Sequence, residues 1–210
     1  MRRSLWFAAA LLFIVTPAGA EAQSRTGCDT PRRPAVGVAL GRSSPYFEPS
    51  LGVGGSRTSG SALSRGGLLF AGRADLPIAG PWRARVEGAA TDWRLERQIY
   101  SADLREVTAT ETVGHVDVRE IVAMAGRQGG RAPVCGYVLA GGGLYSLNYQ
   151  GTRSWSPGFA LTAGVEFPTG PHGAVQVDLQ LHLVNAGSRY PIGSSTVVDG
   201  RFLAGWVYRF

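Results

Sequence analysis

The chain has 210 residues and a formal charge of +6, and all 21 of its basic residues are arginine. Thirty glycines and twelve prolines, with few helical periodicities, argue against a helical bundle and for many short strands and turns. A basic balance admits a nucleic-acid partner, but the arginines are scattered singly and the N-terminus carries an export signal, so no nucleic-acid role is expected.

In that signal, Arg2 and Arg3 precede an uncharged apolar core over residues 5–15. Pro17 breaks the core, and two small-x-small sites follow, Ala18-Gly19-Ala20 and Ala20-Glu21-Ala22. This is the plan of a cleaved secretory peptide, too short to cross a bilayer as a helix. Cleavage before Glu21 and before Gln23 both fit. Taking the second gives a signal over 1–22, a polar lead-in over 23–33 and one domain over 34–210. No later run of apolar residues is long enough for a transmembrane helix, and the mean hydropathy is near zero.

The rest of the chain alternates with a period of two, the signature of strands. A first strand over 34–41 sets Val36, Val38 and Leu40 against small residues, and residues 42–64 are a polar loop. The second, over 65–76, puts Leu68, Phe70, Ala74 and Leu76 on one face and Arg73 and Asp75 on the other. After a tight turn over 77–81, the third starts at Trp82 and alternates Arg83, Arg85 and Glu87 with Ala84, Val86 and Gly88. Residues 94–110 are a charged loop or raised hairpin.

The fourth strand, over 112–126, sets His115, Asp117 and Arg119 against Val116, Val118, Val122 and Met124. Glu120 falls among the apolar series, which calls for a bulge. A second tight turn over 128–133 leads to a fifth strand over 134–149, with Tyr137, Leu139, Tyr145 and Leu147 in phase. The sixth, over 158–167, opposes Phe159, Leu161, Ala163, Val165 and Phe167 to Thr162 and Glu166. Beyond a third tight turn over 168–173, Val175, Val177, Leu179, Leu181 and Leu183 interleave with Gln176, Asp178, Gln180 and His182. A loop over 186–198 precedes the last strand, where Phe202, Ala204, Trp206, Tyr208 and Phe210 share a face.

A final strand of alternating aromatics closing on Phe210 resembles the C-terminal signal of bacterial outer-membrane β-barrels. The resemblance implies that Trp206, Tyr208 and Phe210 are read by the machinery that assembles such barrels. Eight strands joined by tight turns and longer loops in alternation also match the small members of that group, the transmembrane domain of outer-membrane protein A and opacity-type surface proteins. The expected fold is therefore all-β, an eight-stranded antiparallel up-and-down transmembrane barrel. It is expected in the outer membrane, as a monomer, with no periplasmic domain after the last strand.

A soluble lipocalin-type barrel would instead hold its apolar residues inside, around a ligand pocket. The unbroken Val/Leu rows and the aromatics near strand ends (Trp82, Tyr137, Phe167, Trp206, Tyr208, Phe210) favour lipid outside. The lumen then gathers Arg73, Arg83, Arg85, Arg119, Arg201 and Arg209 with Asp75, Glu87, Asp117, Glu166 and Asp178, plus His115 and His182. Eight strands enclose only enough space for side chains, so these groups are expected to pair into a plug rather than line a pore.

Cys28 and Cys135 would both lie at the periplasmic side of such a barrel, an oxidising compartment. A disulfide tying the lead-in under the barrel is within reach at about 3.4 Å per residue. The segment His182-Leu183-Val184-Asn185 is faintly similar to the His-x-Ser-Asn segment of the lipid A deacylase family, in which the histidine is base and the serine nucleophile. Val184 stands in the serine position and offers no nucleophile. No catalytic residue, metal or cofactor is expected. The expected role is structural or surface interaction through the loops, with partners limited to membrane lipid, the assembly machinery and an extracellular partner the residues do not identify. A narrow diffusion channel is the alternative, and a lipid A-modifying enzyme comes third.

Overall fold

Alternation at a period of two gives each strand two faces, and pairing strand to strand joins those faces into one inner and one outer surface. The computed structural model describes residue 28 and residues 33–46, 62–100, 107–131, 133–186 and 196–210; the expected signal, most of the expected lead-in and parts of the three expected loops over 42–64, 94–110 and 186–198 lie outside them. Eight strands follow in chain order: β1 (Ala35–Tyr46), β2 (Ala62–Ala79), β3 (Trp82–Tyr100), β4 (Val107–Arg131), β5 (Val134–Tyr149), β6 (Thr152–Pro168), β7 (Gly173–Asn185) and β8 (Thr196–Arg209). Each pairs antiparallel with the next, and β8 pairs with β1, so the sheet closes and has no edge. Following the pairing from Ala174 through Val207, Gly37, Arg73, Glu87, Val122, Gly143 and Gly158 returns to Val184, ten residues further along the same strand. That stagger is what tilts the strands.

The strands outrun their apolar stretches. Most of the expected loop over 94–110 is a paired hairpin of β3 and β4, because ladder hydrogen bonds need only backbone groups and tolerate polar side chains. β5 and β6 are joined by a two-residue turn in which Gln150 (φ 50°) and Gly151 (φ 82°) are both left-handed, as a tight hairpin of right-twisted strands requires.

On the outer face, the apolar rows expected of β1, β2, β6, β7 and β8 are exposed, from Val38 and Phe70 to Leu179 and Trp206. Along β3, outward residues are apolar or small from Trp82 to Ala90, and Asp92 begins a polar row. At about 3.3 Å per residue and a tilt of about 40°, that stretch rises about 20 Å, slightly less than the usual height of about 25 Å for a lipid-facing band.

β4 reverses the expectation. Val116, Val118, Val122 and Met124 are buried inside, whereas His115, Asp117 and Arg119 are on the outer face. Glu120 points inward in unbroken register, opposite Ala89 and Tyr145, so no bulge is present there. Tyr137, expected among the outward aromatics, is also inside and 3% exposed. These inward apolar side chains pack with Trp93, Leu139, Tyr145 and Leu147 into one cluster. The β4–β5 side of the lumen is thus mainly apolar and the opposite side carries most of the charge.

The seam is closed at the turn end by Phe210, whose N–H donates to the Pro34 carbonyl at 3.1 Å. Cys28 and Cys135 form a disulfide with Cα atoms 5.2 Å apart, and both are buried. Cys135 points inward on β5, in phase with Tyr137, so the bond holds Cys28 against the mouth of the barrel. The substitution C135S is expected to keep the barrel but lower its unfolding free energy by about 2–5 kcal/mol. Urea unfolding followed by tryptophan fluorescence checks this, and an unchanged midpoint would make the bond energetically idle.

Candidate functional site: the charged lumen

Arg85 lies at the centre of the turn-end half of the lumen and is fully buried. Its Nε donates to Asp75 Oδ1 at 2.7 Å and its Nη1 to Asp178 Oδ2 at 3.0 Å. Its Nη2 donates to Asp75 Oδ2 at 3.2 Å, to Gln176 Oε1 at 3.0 Å and to the Tyr137 hydroxyl at 3.4 Å. Tyr137 in turn donates to Asp178 Oδ1. Arg73 donates to Gln176 and Asp178 and lies 3.6 Å from Glu87. Arg83 pairs with Asp75, lies 3.6 Å from Glu166 and donates to Gln128. Arg209 closes the set on Glu166. Four arginines therefore meet four carboxylates, Asp75, Glu87, Glu166 and Asp178. Such matching is what a buried ionic layer needs, because an unpaired ion there costs several kcal/mol.

The Tyr137 ring spans this layer, with the Arg83 and Arg85 guanidinium carbons 4.7 and 5.1 Å from its centroid. It can do so because its partner across β5–β6 is Gly164: a Cβ there would collide with both the ring and Asp178. Gly158 makes the same room for Tyr145.

A second cluster sits nearer the loop end. Arg201 pairs bidentately with Glu120 and donates from Nε to Asp199 at 2.7 Å. Two carboxylates here share one guanidinium, and neutral donors make up the difference. Ser43 Oγ and the Ser44 N–H reach Asp199 at 2.8 and 3.1 Å, and the Trp93 indole donates to Ser43 at 2.9 Å. A hydrogen-bonded chain runs from the first cluster towards the second, and its His182 Nδ1 lies 3.6 Å from Glu120 Oε1. Gln180 Nε2 donates to Glu87 at 3.0 Å, so its Oε1 is free to accept from His182 Nε2 at 3.1 Å. His182 Nδ1 then accepts from the Tyr145 hydroxyl at 2.8 Å.

Beyond the second cluster, Val116, Val118, Leu147, Val184 and Val197 join Trp93 and Leu95 in an apolar layer at the loop end. At the turn end, a cavity of about 10 Å³ is bounded by Arg33, Asp75, Arg83, Glu166 and Arg209, room for about one water.

Ten of the thirteen residues expected in the lumen are there: Arg73, Asp75, Arg83, Arg85, Glu87, Glu166, Asp178, His182, Arg201 and Arg209. His115, Asp117 and Arg119 are not. His115 instead faces Asp92 on the outer wall at 3.3 Å. The reading of alternation missed Glu120, Tyr137, Tyr145 and Asp199 as network members. Glu120 and Gln128 lie in the same phase as the valines of β4, which was the available sign that this series faces the polar interior. His182 and Val184 are both fully buried inside the wall. Among the described residues, no group of three or more His, Cys, Asp or Glu is disposed to hold a metal.

No family model matches the sequence, and comparison with curated proteins finds no similar one. Solved structures do match. Neisserial surface protein A is 18% identical, with a TM-score of 0.56, over 84% of this chain and 97% of its own. The outer membrane protein OprG from Pseudomonas aeruginosa is 10% identical, with a TM-score of 0.54, over 85% of this chain and 96% of its own. At these identities the likeness is one of fold, the closed eight-stranded antiparallel barrel.

Two substitutions test whether the lumen is a coupled ionic unit. R201A leaves Glu120 and Asp199 buried without their cation and is expected to destabilise the refolded barrel by about 3–5 kcal/mol. Adding E120Q and D199N to R201A is expected to recover much of that loss. Equal instability of the single and triple variants in urea would show that burial of charge is not what Arg201 relieves.

Proposed function

We propose that this protein is an outer-membrane β-barrel with a structural or surface-interaction role, without catalytic activity, whose lumen is closed by its own side chains. The observation that carries the reading is a wall apolar on its outer face around an interior packed with paired ions and an apolar layer. A soluble barrel would have the opposite arrangement, with charges on the water side. The likeness in fold to Neisserial surface protein A and to OprG supports the same setting.

In this reading the three tight turns and the Cys28–Cys135 bond lie at the periplasmic face, and the long loops lie outside the cell. The exposed, mutually packed Tyr208 and Phe210 rings (centroids 5.5 Å apart), with Trp206 beside Tyr208, form the strip that the assembly machinery would read. A lipid-modifying reaction is disfavoured, because an acyl chain outside the wall cannot reach His182, and Val184 supplies no nucleophile. The loops, rather than the lumen, are then the surfaces that meet a partner.

Refolded protein in a planar lipid bilayer is expected to give no discrete conductance steps. Reproducible steps from a properly folded barrel would replace the plug with the narrow-channel reading. Deleting Phe210 removes one ring of the aromatic strip and the seam hydrogen bond to Pro34, and is expected to lower the assembled fraction severalfold. The readout is the compact form whose gel migration changes on boiling. Unchanged assembly would make the terminal ring incidental.

A further inference from the structure

The polar groups of the outer wall are unevenly placed. On the loop-end side of the apolar band, a groove of about 360 Å³ opens over β1, β2 and β3, lined by Arg42, Arg65, Leu68, Asp92 and Arg94 together with Gly66 and Gly67. The two glycines sit at a register shift of β2 against β3. A Cβ on Gly66 would strike the Ser43 carbonyl, and one on Gly67 would meet the Asp92 carbonyl. The same lack of side chains leaves the wall hollow between the arginines.

The charges in this groove do not balance one another. Arg65 and Arg94 are directly opposed across β2 and β3, a like-charge cross-strand pair that is unfavourable without an anion nearby. Arg65 Nε takes Glu96 at 2.9 Å, and Asp92 faces His115 at 3.3 Å. Among the described residues, Arg42 and Arg94 have no ion-pair partner. Leu40, Leu68 and Ala90 mark the upper limit of the apolar face beside the groove, so in a bilayer the arginines lie at headgroup depth.

We propose that this groove binds the phosphate monoester of a membrane lipid headgroup in the leaflet at the loop end, with Arg42 and Arg94 as the main phosphate ligands and Arg65 completing the fork. A monoester carries close to two charges and three strong acceptor oxygens, which suits several arginines lining one groove better than a singly charged diester does. The inference rests on the membrane reading above, and the test separates the two.

The refolded protein is inserted into phosphatidylcholine vesicles, with insertion read from the boiling-dependent gel shift. Binding is then measured in micelles by native mass spectrometry with diphosphorylated lipid A, the same lipid dephosphorylated, or inorganic phosphate. The inserted protein is expected to retain one phosphorylated lipid and to bind the dephosphorylated form at least tenfold more weakly. R42Q and R94Q are each expected to weaken binding about tenfold, while R42K recovers part of the loss and R127Q, at the far end of the wall, changes nothing. Equal binding of both lipids, or an R42Q/R94Q double variant that binds like the parent, would overturn the proposal. So would inorganic phosphate binding as tightly as the lipid, which would make the site one for free phosphate. Failure of the parent protein to insert at all would overturn the membrane reading itself, and this proposal with it.

Discussion

A guanidinium buried at the centre of a narrow barrel dictates much of what surrounds it. Arg85 reaches Asp75, Asp178, Gln176 and Tyr137 at once, and those groups come from three strands, β2, β7 and β5, besides its own β3. Removing the charge from water is costly, and only dense pairing makes the arrangement tolerable. Each acceptor is then held by further donors, Arg73 and Arg83 among them, so the layer behaves as one unit. The wall supplies the confinement and the network supplies the cross-braces.

The interior is divided rather than uniformly charged. Carboxylates and guanidiniums come mostly from β2, β3, β7 and β8, while β4 and β5 contribute Val118, Val122, Met124 and Leu139. Glu120 is the charged exception on β4, and it faces Arg201 across the lumen. Glycines on the inner face of β6 set where the two tyrosines can lean, and Gln180 and His182 carry a hydrogen-bonded chain from Glu87 to Tyr145. An eight-stranded barrel has little interior to spare, so size matching and charge matching are solved by the same residues.

The same economy of space appears on the outer wall. Where β2 bulges at Gly66 and Gly67, the missing side chains open a hollow that three arginines surround. Inside the barrel the arginines are balanced by carboxylates; on this part of the wall Arg65 has Glu96, but Arg42 and Arg94 have no ion-pair partner among the described residues. That contrast separates a region that holds the fold together from one available to a ligand.

Much of the architecture was legible in the residues, since alternation located all eight strands and the ions of the inner face on β2 and β7, with Arg201 and Arg209 on β8, and the Gly and Pro runs located the three tight turns. On those strands one face is mostly apolar and the other carries ions, so once lipid is placed outside the ions must turn inward. β4 was different. Both of its faces are mixed, so period two showed that Glu120 shares a side with four apolar residues without showing which side faces in. That choice is made by register: the pairing puts Glu120 beside Tyr145 and, across the lumen, against Arg201, 81 positions away in the chain. Likewise the two cysteines could be matched by elimination, but that Cys135 points into the mouth follows from the phase of β5. Local pattern determined the strands and their two faces, whereas the ionic partners, the apolar half of the lumen and the arginine groove were decided only in the closed barrel, because ion pairing and cavity shape depend on residues brought together by register and not by sequence proximity.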